Sequence, residues 1–110
     1  MTRTVPTDSN AVATRTLRYS NPNHPNRNSI TVTIRVPQKS DVFQQWDCQY
    51  EIVYSDGDTV QHMIHGEDSM QALILTIQVI RGYIDSLLAD GATLEWLGSA
   101  NAGFPRVIFD

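Results

Sequence analysis

The stretch Gly66-Glu67-Asp68-Ser69-Met70-Gln71-Ala72-Leu73 constrains this chain more than any other, because there a loop becomes the only long helix. Asp68 with Gln71 three residues on is a capping box. The carboxylate accepts from a backbone N–H of the first turn, and the amide reaches back toward the helix start. Behind the cap, Met70, Leu73, Ile77, Ile80, Ile84 and Leu87 recur at alternating intervals of three and four. That period lays one apolar face along a helix from about Ser69 to Ala89, and Gly91 is placed to end it in a left-handed cap. The helix carries a second apolar set, Ile74, Leu75 and Val79, wider than one sheet face ordinarily covers.

The segments before the helix alternate with period two. Ser29 to Val36 turns Ile30, Val32, Ile34 and Val36 one way and Thr31, Thr33 and Arg35 the other. Ala13 to Tyr19 precedes it as a strand with Leu17 and Tyr19 on one face. The two are joined by Asn21-Pro-Asn-His-Pro-Asn-Arg-Asn28, whose prolines and asparagines mark a loop. Trp46, Cys48, Tyr50, Ile52 and Tyr54 share one parity in a third strand, and Asp56-Gly57 signals a tight hairpin into Thr59 to His65. Thr93 to Leu97 is a short strand or turn, and Arg106 to Phe109 a terminal strand. Two hairpins followed by one helix imply an α+β domain. The expectation is an antiparallel sheet of about four strands with the helix on one face and the C-terminal tail folded back. Residues 1–11 read as a flexible leader and 12–110 as the single domain.

Twelve acidic residues against eight basic ones give a net charge of −4, and the only lysine is Lys39. Duplex binding needs clustered cations, so no nucleic-acid partner is expected. One cysteine excludes an intrachain disulfide and a zinc site built from several cysteines. No stretch is a run of the roughly eighteen apolar residues a bilayer span needs, since Ala72 to Ile77 is short and broken by Thr76. The start has no apolar signal region, so a cytoplasmic setting is expected.

His62, His65, Glu67 and Asp68 are the one cluster of metal-ligand types. In a strand His62 and His65 point to opposite faces, and Asp68 is already accounted for as a cap, so no metal and no cofactor is expected. Cys48 sits on the core parity of its strand, where a thiol behaves as a small hydrophobe. Trp46 and Trp96 are amphipathic and serve either as core or as anchors for a partner.

The order Trp46-x-Cys48-x-Tyr50-x-Ile52, then Gly66-x-Asp68-Ser69-x-Gln71-Ala72-Leu73, then Trp96-Leu97-Gly98 and Gly103-Phe104-Pro105 resembles a family of small bacterial domains of unknown function. The resemblance covers roughly residues 14 to 109. It implies an α+β fold and a bacterial cytoplasmic protein, and it brings no activity, ligand or catalytic residue. The function expected is therefore a non-enzymatic protein-interaction domain, an immunity or adaptor protein, binding another protein or itself. A homodimer through Leu75 and Val79 on the second helix face is the simplest arrangement. The alternative is a small-ligand binder or enzyme with a pocket between the helix start and the tail, rimmed by His65, Glu67, Asp68, Trp96 and Phe104.

Overall fold

The computed structural model describes residues 10–105. Six strands form one antiparallel sheet: β1 (Ala11–Ser20), β2 (Ser29–Arg35), β3 (Gln38–Lys39), β4 (Trp46–Tyr54), β5 (Thr59–Gly66) and β6 (Thr93–Glu95). Among the described residues a single helix, α1 (Ser69–Ala89), joins β5 to β6. The α+β class and the one-helix architecture agree with the sequence pattern. The count of about four strands is too low. Of the two additional strands, β3 has two residues, too few for a period of two to register, and β6 has three and falls within Thr93–Leu97, the stretch read as a short strand or turn. The leader read over residues 1–11 lies outside the described residues except at its end, where the Asn10 carbonyl accepts from Val36 N–H and Ala11 already opens β1. The terminal strand read over 106–109 also lies outside them.

Backbone hydrogen bonds order the sheet as β5-β4-β2-β1-β6, and β3 prolongs β2 past the break at Pro37. The alternation of the antiparallel ladder shows this independently. Ser55 N–H donates to Ser29 O on the β2 side of β4, and Ser40 N–H donates to Gln45 O, so odd-numbered groups face β2 and β3 alike. On the other side, Tyr54 N–H donates to Asp58 O, so even-numbered groups of β4 face β5. The helix then carries the chain over the sheet from one edge to the other.

One face of the sheet is apolar and lies under α1. Leu17, Ile30, Val32, Cys48, Tyr50, Ile52 and Leu94 are buried there, and the Cys48 thiol donates to Arg35 O at 3.4 Å. The opposite face is polar, with Thr14 against Thr33, Thr16 against Thr31, and Arg35 against Glu51. The buried line of α1 is Ala72, Thr76, Ile80 and Ile84, flanked by the half-buried Leu73, Ile77, Tyr83 and Leu87. Met70, placed on the core series by its spacing, is exposed. The face is rotated toward small residues because the helix start sits hard against β5. A Cβ on Gly66 would lie 2.5 Å from the Ala72 backbone nitrogen. Thr76 is accommodated by donating its hydroxyl to Ala72 O at 2.8 Å. By length and a mean hydropathy of 1.5, α1 is long and apolar enough to cross a bilayer, which qualifies the reading that no stretch is. In this fold its most buried line closes the core over the sheet.

Both helix ends are as the sequence implies. Asp68 accepts from Gln71 N–H at 2.7 Å, and the Gln71 amide oxygen accepts from Glu67 N–H, one residue before the cap. At the far end Ala92 N–H donates to Leu87 O and Gly91 N–H to Leu88 O, with Gly91 at φ +98°, the paired bonds of a Schellman motif.

Two outcomes are expected in chemical denaturation. Asp68→Ala should cost ~1 kcal/mol, because a first-turn donor loses its acceptor. Gly66→Ala should cost about 1–3 kcal/mol, because its methyl meets backbone that cannot yield without moving α1. A midpoint unchanged in Gly66→Ala would mean that the helix seat is not close-packed.

Candidate functional site

The structure disperses the cluster of metal-ligand types. Tyr50 and His62 are register partners on the helix side of the sheet, with rings 5.6 Å apart. His65 turns to the polar face, where Nδ1 lies 2.7 Å from Asp47 Oδ1 and 3.1 Å from Gln45 Nε2. Glu67 and Asp68 belong to the helix cap. Among the described residues no group of three or more His, Cys, Asp or Glu could hold a metal. The His65–Asp47 pair is a base oriented by a carboxylate, but no described hydrogen bond joins it to a serine, threonine or cysteine. A nucleophile–base relay needs that contact.

Trp96 and Phe104 lie elsewhere, at the β1 edge. The Arg15 guanidinium stacks 3.8 Å from the Trp96 ring centroid and 5.0 Å from that of Phe104, and it donates to Ala102 O at 3.2 Å. Gly103, at φ +82°, passes so close that a Cβ would meet Arg15 Nη1 at 2.5 Å. Arg81 on α1 donates to Phe104 O at 2.9 Å and completes the clamp. The tail is thus folded back. A mainly apolar cavity of about 230 Å³ opens beside it, between Ala13, Ile34, Ile77 and Phe104. That cavity is lined by the tail and by Ile77 in the middle of α1, not by the helix start, and a second space against the tail is lined by Arg81, Ile84 and Leu88 near the far end of α1. Arg15 is not among the residues singled out from the sequence; the signal that could have found it is its parity, which it shares with the core residues Leu17 and Tyr19.

A second arginine organises the opposite corner. Arg27, from the Pro/Asn loop, donates to Asp56 at 2.8 Å and to Asp58 at 2.6 Å, and its guanidinium lies 4.0 Å from the Tyr54 ring centroid. The long loop thereby fastens the β4–β5 turn. Behind it Tyr54 and Tyr83 share a short hydroxyl–hydroxyl hydrogen bond, and burial pushes the Tyr54 phenol well above its ordinary value. A cavity of about 270 Å³ lies between Tyr19, Asn21, His24, Arg27, Tyr54 and Asp90. The Asn21 amide there is already engaged by Tyr19 Oη and Asn23 N–H.

The remaining predicted residues, Leu75 and Val79, mark the surface left open. Ile74 and Val79 are five residues apart, about 140° around the helix, so the second apolar set is not one patch. Ile74 falls on the side of Arg81, toward the tail. Leu75 and Val79 fall beside Ala72 and Tyr83, on the side of α1 that meets β5. Leu75 is half-buried, Val79 is 41% exposed, and Leu97, at 86%, covers neither.

Below that flank runs the outer edge of β5. Even-numbered β5 groups bond β4, so the backbone N–H and C=O groups of Gln61, Met63 and His65 point outward. No described strand pairs with that side. The strand is eight residues long, in unbroken register, with no proline, bulge or formal charge, the devices that usually blunt such an edge. Met63 is 49% exposed at its middle. Period two revealed the strand but not that it would be terminal in the sheet.

Fold and site together define a helix-on-sheet α+β domain with one sheet edge unprotected. The chain belongs to DUF6968, a family of domains of unknown function, whose family model matches residues 13–106. This agrees, at the level of the family, with the resemblance seen in the sequence. No match was found among curated proteins or among solved structures.

The Arg27 clamp gives a pH prediction. The Arg27 hydrogen bond holds the Asp56 carboxyl below its ordinary value. The resulting stabilisation is present above the unfolded value of about 3.9 and is lost as pH falls through the depressed folded value. Asp56→Asn should therefore melt below wild type at pH 7, and the gap should close in strong acid. A gap that persists at pH 2 would mean that charge is not what Asp56 contributes.

Proposed function

We propose that this is a non-enzymatic protein-interaction domain, of the adaptor or immunity type, whose contact surface is the β5 edge with the Leu75–Val79 flank. The single observation that carries the reading is the edge itself. Gln61, Met63 and His65 offer backbone donors and acceptors in a row, beside exposed apolar surface on the helix above. Strand addition at such an edge takes affinity from main-chain hydrogen bonds and selectivity from neighbouring side chains. The absence of a hydrogen-bonded nucleophile–base pair among the described residues, and a net charge of −4, support a role of occupying another chain's surface. The small-ligand alternative has less to stand on, because the helix start and the tail share none of the cavities described.

The test compares variants on this surface. Met63→Lys and Val79→Glu should each melt within a few degrees of wild type, since both positions are largely exposed. Each should lose the partners that tagged wild type retains from extract of its own cells, a differently tagged second copy counted among them. Retention of every partner by both folded variants would place the contact elsewhere and sink the proposal.

A further inference from the structure

We infer that the occupant of the β5 edge is a second copy of this chain, paired antiparallel across a two-fold axis at Met63. The inference rests on the reading of that edge as an interaction surface and names its partner.

Charge is the first argument. Thr59–Gly66 contains no Lys, Arg, Asp or Glu, in a chain of 20 such residues among 110. A foreign strand could be matched to charges of either sign, whereas a two-fold pairing sets a strand against its own sequence. Like charges directly opposite are destabilising, so a neutral strand is well suited to pair with itself. The other open parts of the sheet differ. β3 is two residues long and carries Lys39, and the part of β1 that β6 leaves unpaired, Ala11 to Leu17, carries Arg15, which has the tail clamped beside it.

Register is the second argument. Outward groups on β5 belong to odd-numbered residues, so a two-fold ladder must set odd against odd. With the axis at Met63, Gln61 faces His65 of the second copy on both sides of the axis, two polar pairs of complementary hydrogen-bonding capacity. On the helix side of the sheet, His62 faces Ile64. Moving the axis by one residue to His62 would instead set His62 against itself. The two sheets would then run on as one, with the Leu75–Val79 flanks on the same face of the joined sheet.

The experiment uses the full purified chain. Wild type should scatter light as twice 12.4 kDa, and Met63→Lys as a folded species of 12.4 kDa. Residues directly opposite in a hydrogen-bonded antiparallel pair have Cα atoms about 5.5 Å apart, within disulfide reach. Met63→Cys should therefore form an intermolecular disulfide on oxidation. Thr59→Cys should not, because its two copies would lie ~26 Å apart along the strands. Cys48 is buried and does not compete. A dimer that survives Met63→Lys, or that cross-links through Thr59→Cys and not Met63→Cys, overturns the inference. So does a monomer at every concentration with no Met63→Cys disulfide. That last result leaves the interaction reading intact if a foreign partner is still lost from Met63→Lys and Val79→Glu in extract.

Discussion

The contact on which the rest of the fold depends is the seat of the helix against the end of β5. Gly66 has no side chain where Ala72 backbone passes, and the Asp68–Gln71 cap starts the first turn beside that contact. Together they fix the rotational phase of α1, and phase decides which residues are core. Ala72 and Thr76 are buried in the first turns, while Met70, on the apolar series but one flank away, is left in solvent. Any side chain at 66 would meet the backbone of Gln71 and Ala72, so the start of the helix would have to move to admit it. The same phase leaves Leu75 and Val79 standing over the β5 edge.

A single helix cannot cover a sheet of this width, and two arginines close the corners it leaves. Arg15 holds the returning tail through Trp96, Phe104 and the Ala102 carbonyl. Arg27 holds the Pro/Asn loop against Tyr54 and the Asp56–Asp58 turn. In each case a planar cation lies on an aromatic face while its edge is satisfied by oxygen, an arrangement lysine cannot reproduce. Both arginines therefore have structural partners for face and edge. That is why neither corner, despite its cavity, presents a free cation to a ligand.

With the corners closed and the polar face laced by threonine pairs and the Arg35–Glu51 pair, the β5 side is where backbone hydrogen-bonding capacity meets exposed apolar surface. An edge of this kind is ordinarily a hazard, since any extended chain can add to it. β5 carries no charge, bulge or proline to blunt it, and this is the feature on which the proposed interaction role rests.

Much of the fold was legible in the sequence, because the information is local. Period-two alternation placed four strands and the correct inward parity of Leu17, Ile30, Cys48, Tyr50 and Ile52. Cap chemistry placed both ends of α1 at Asp68 and Gly91, since a helix end is decided by a few neighbouring donors and acceptors. β3 escaped because a strand of two residues exists only by virtue of the strand beside it, and β6, three residues long, was legible only as a short strand or turn at Thr93–Leu97. The candidate site was legible only in part. Leu75 and Val79 were visible as surplus apolar residues, but Ile74 was grouped with them until the phase of the helix separated the two flanks. That β5 would be an edge could not be read from β5 itself. It follows from where α1 leads the chain next, to β1 rather than back to β5, and that choice was made by packing the helix over the sheet and not by any residue of the strand.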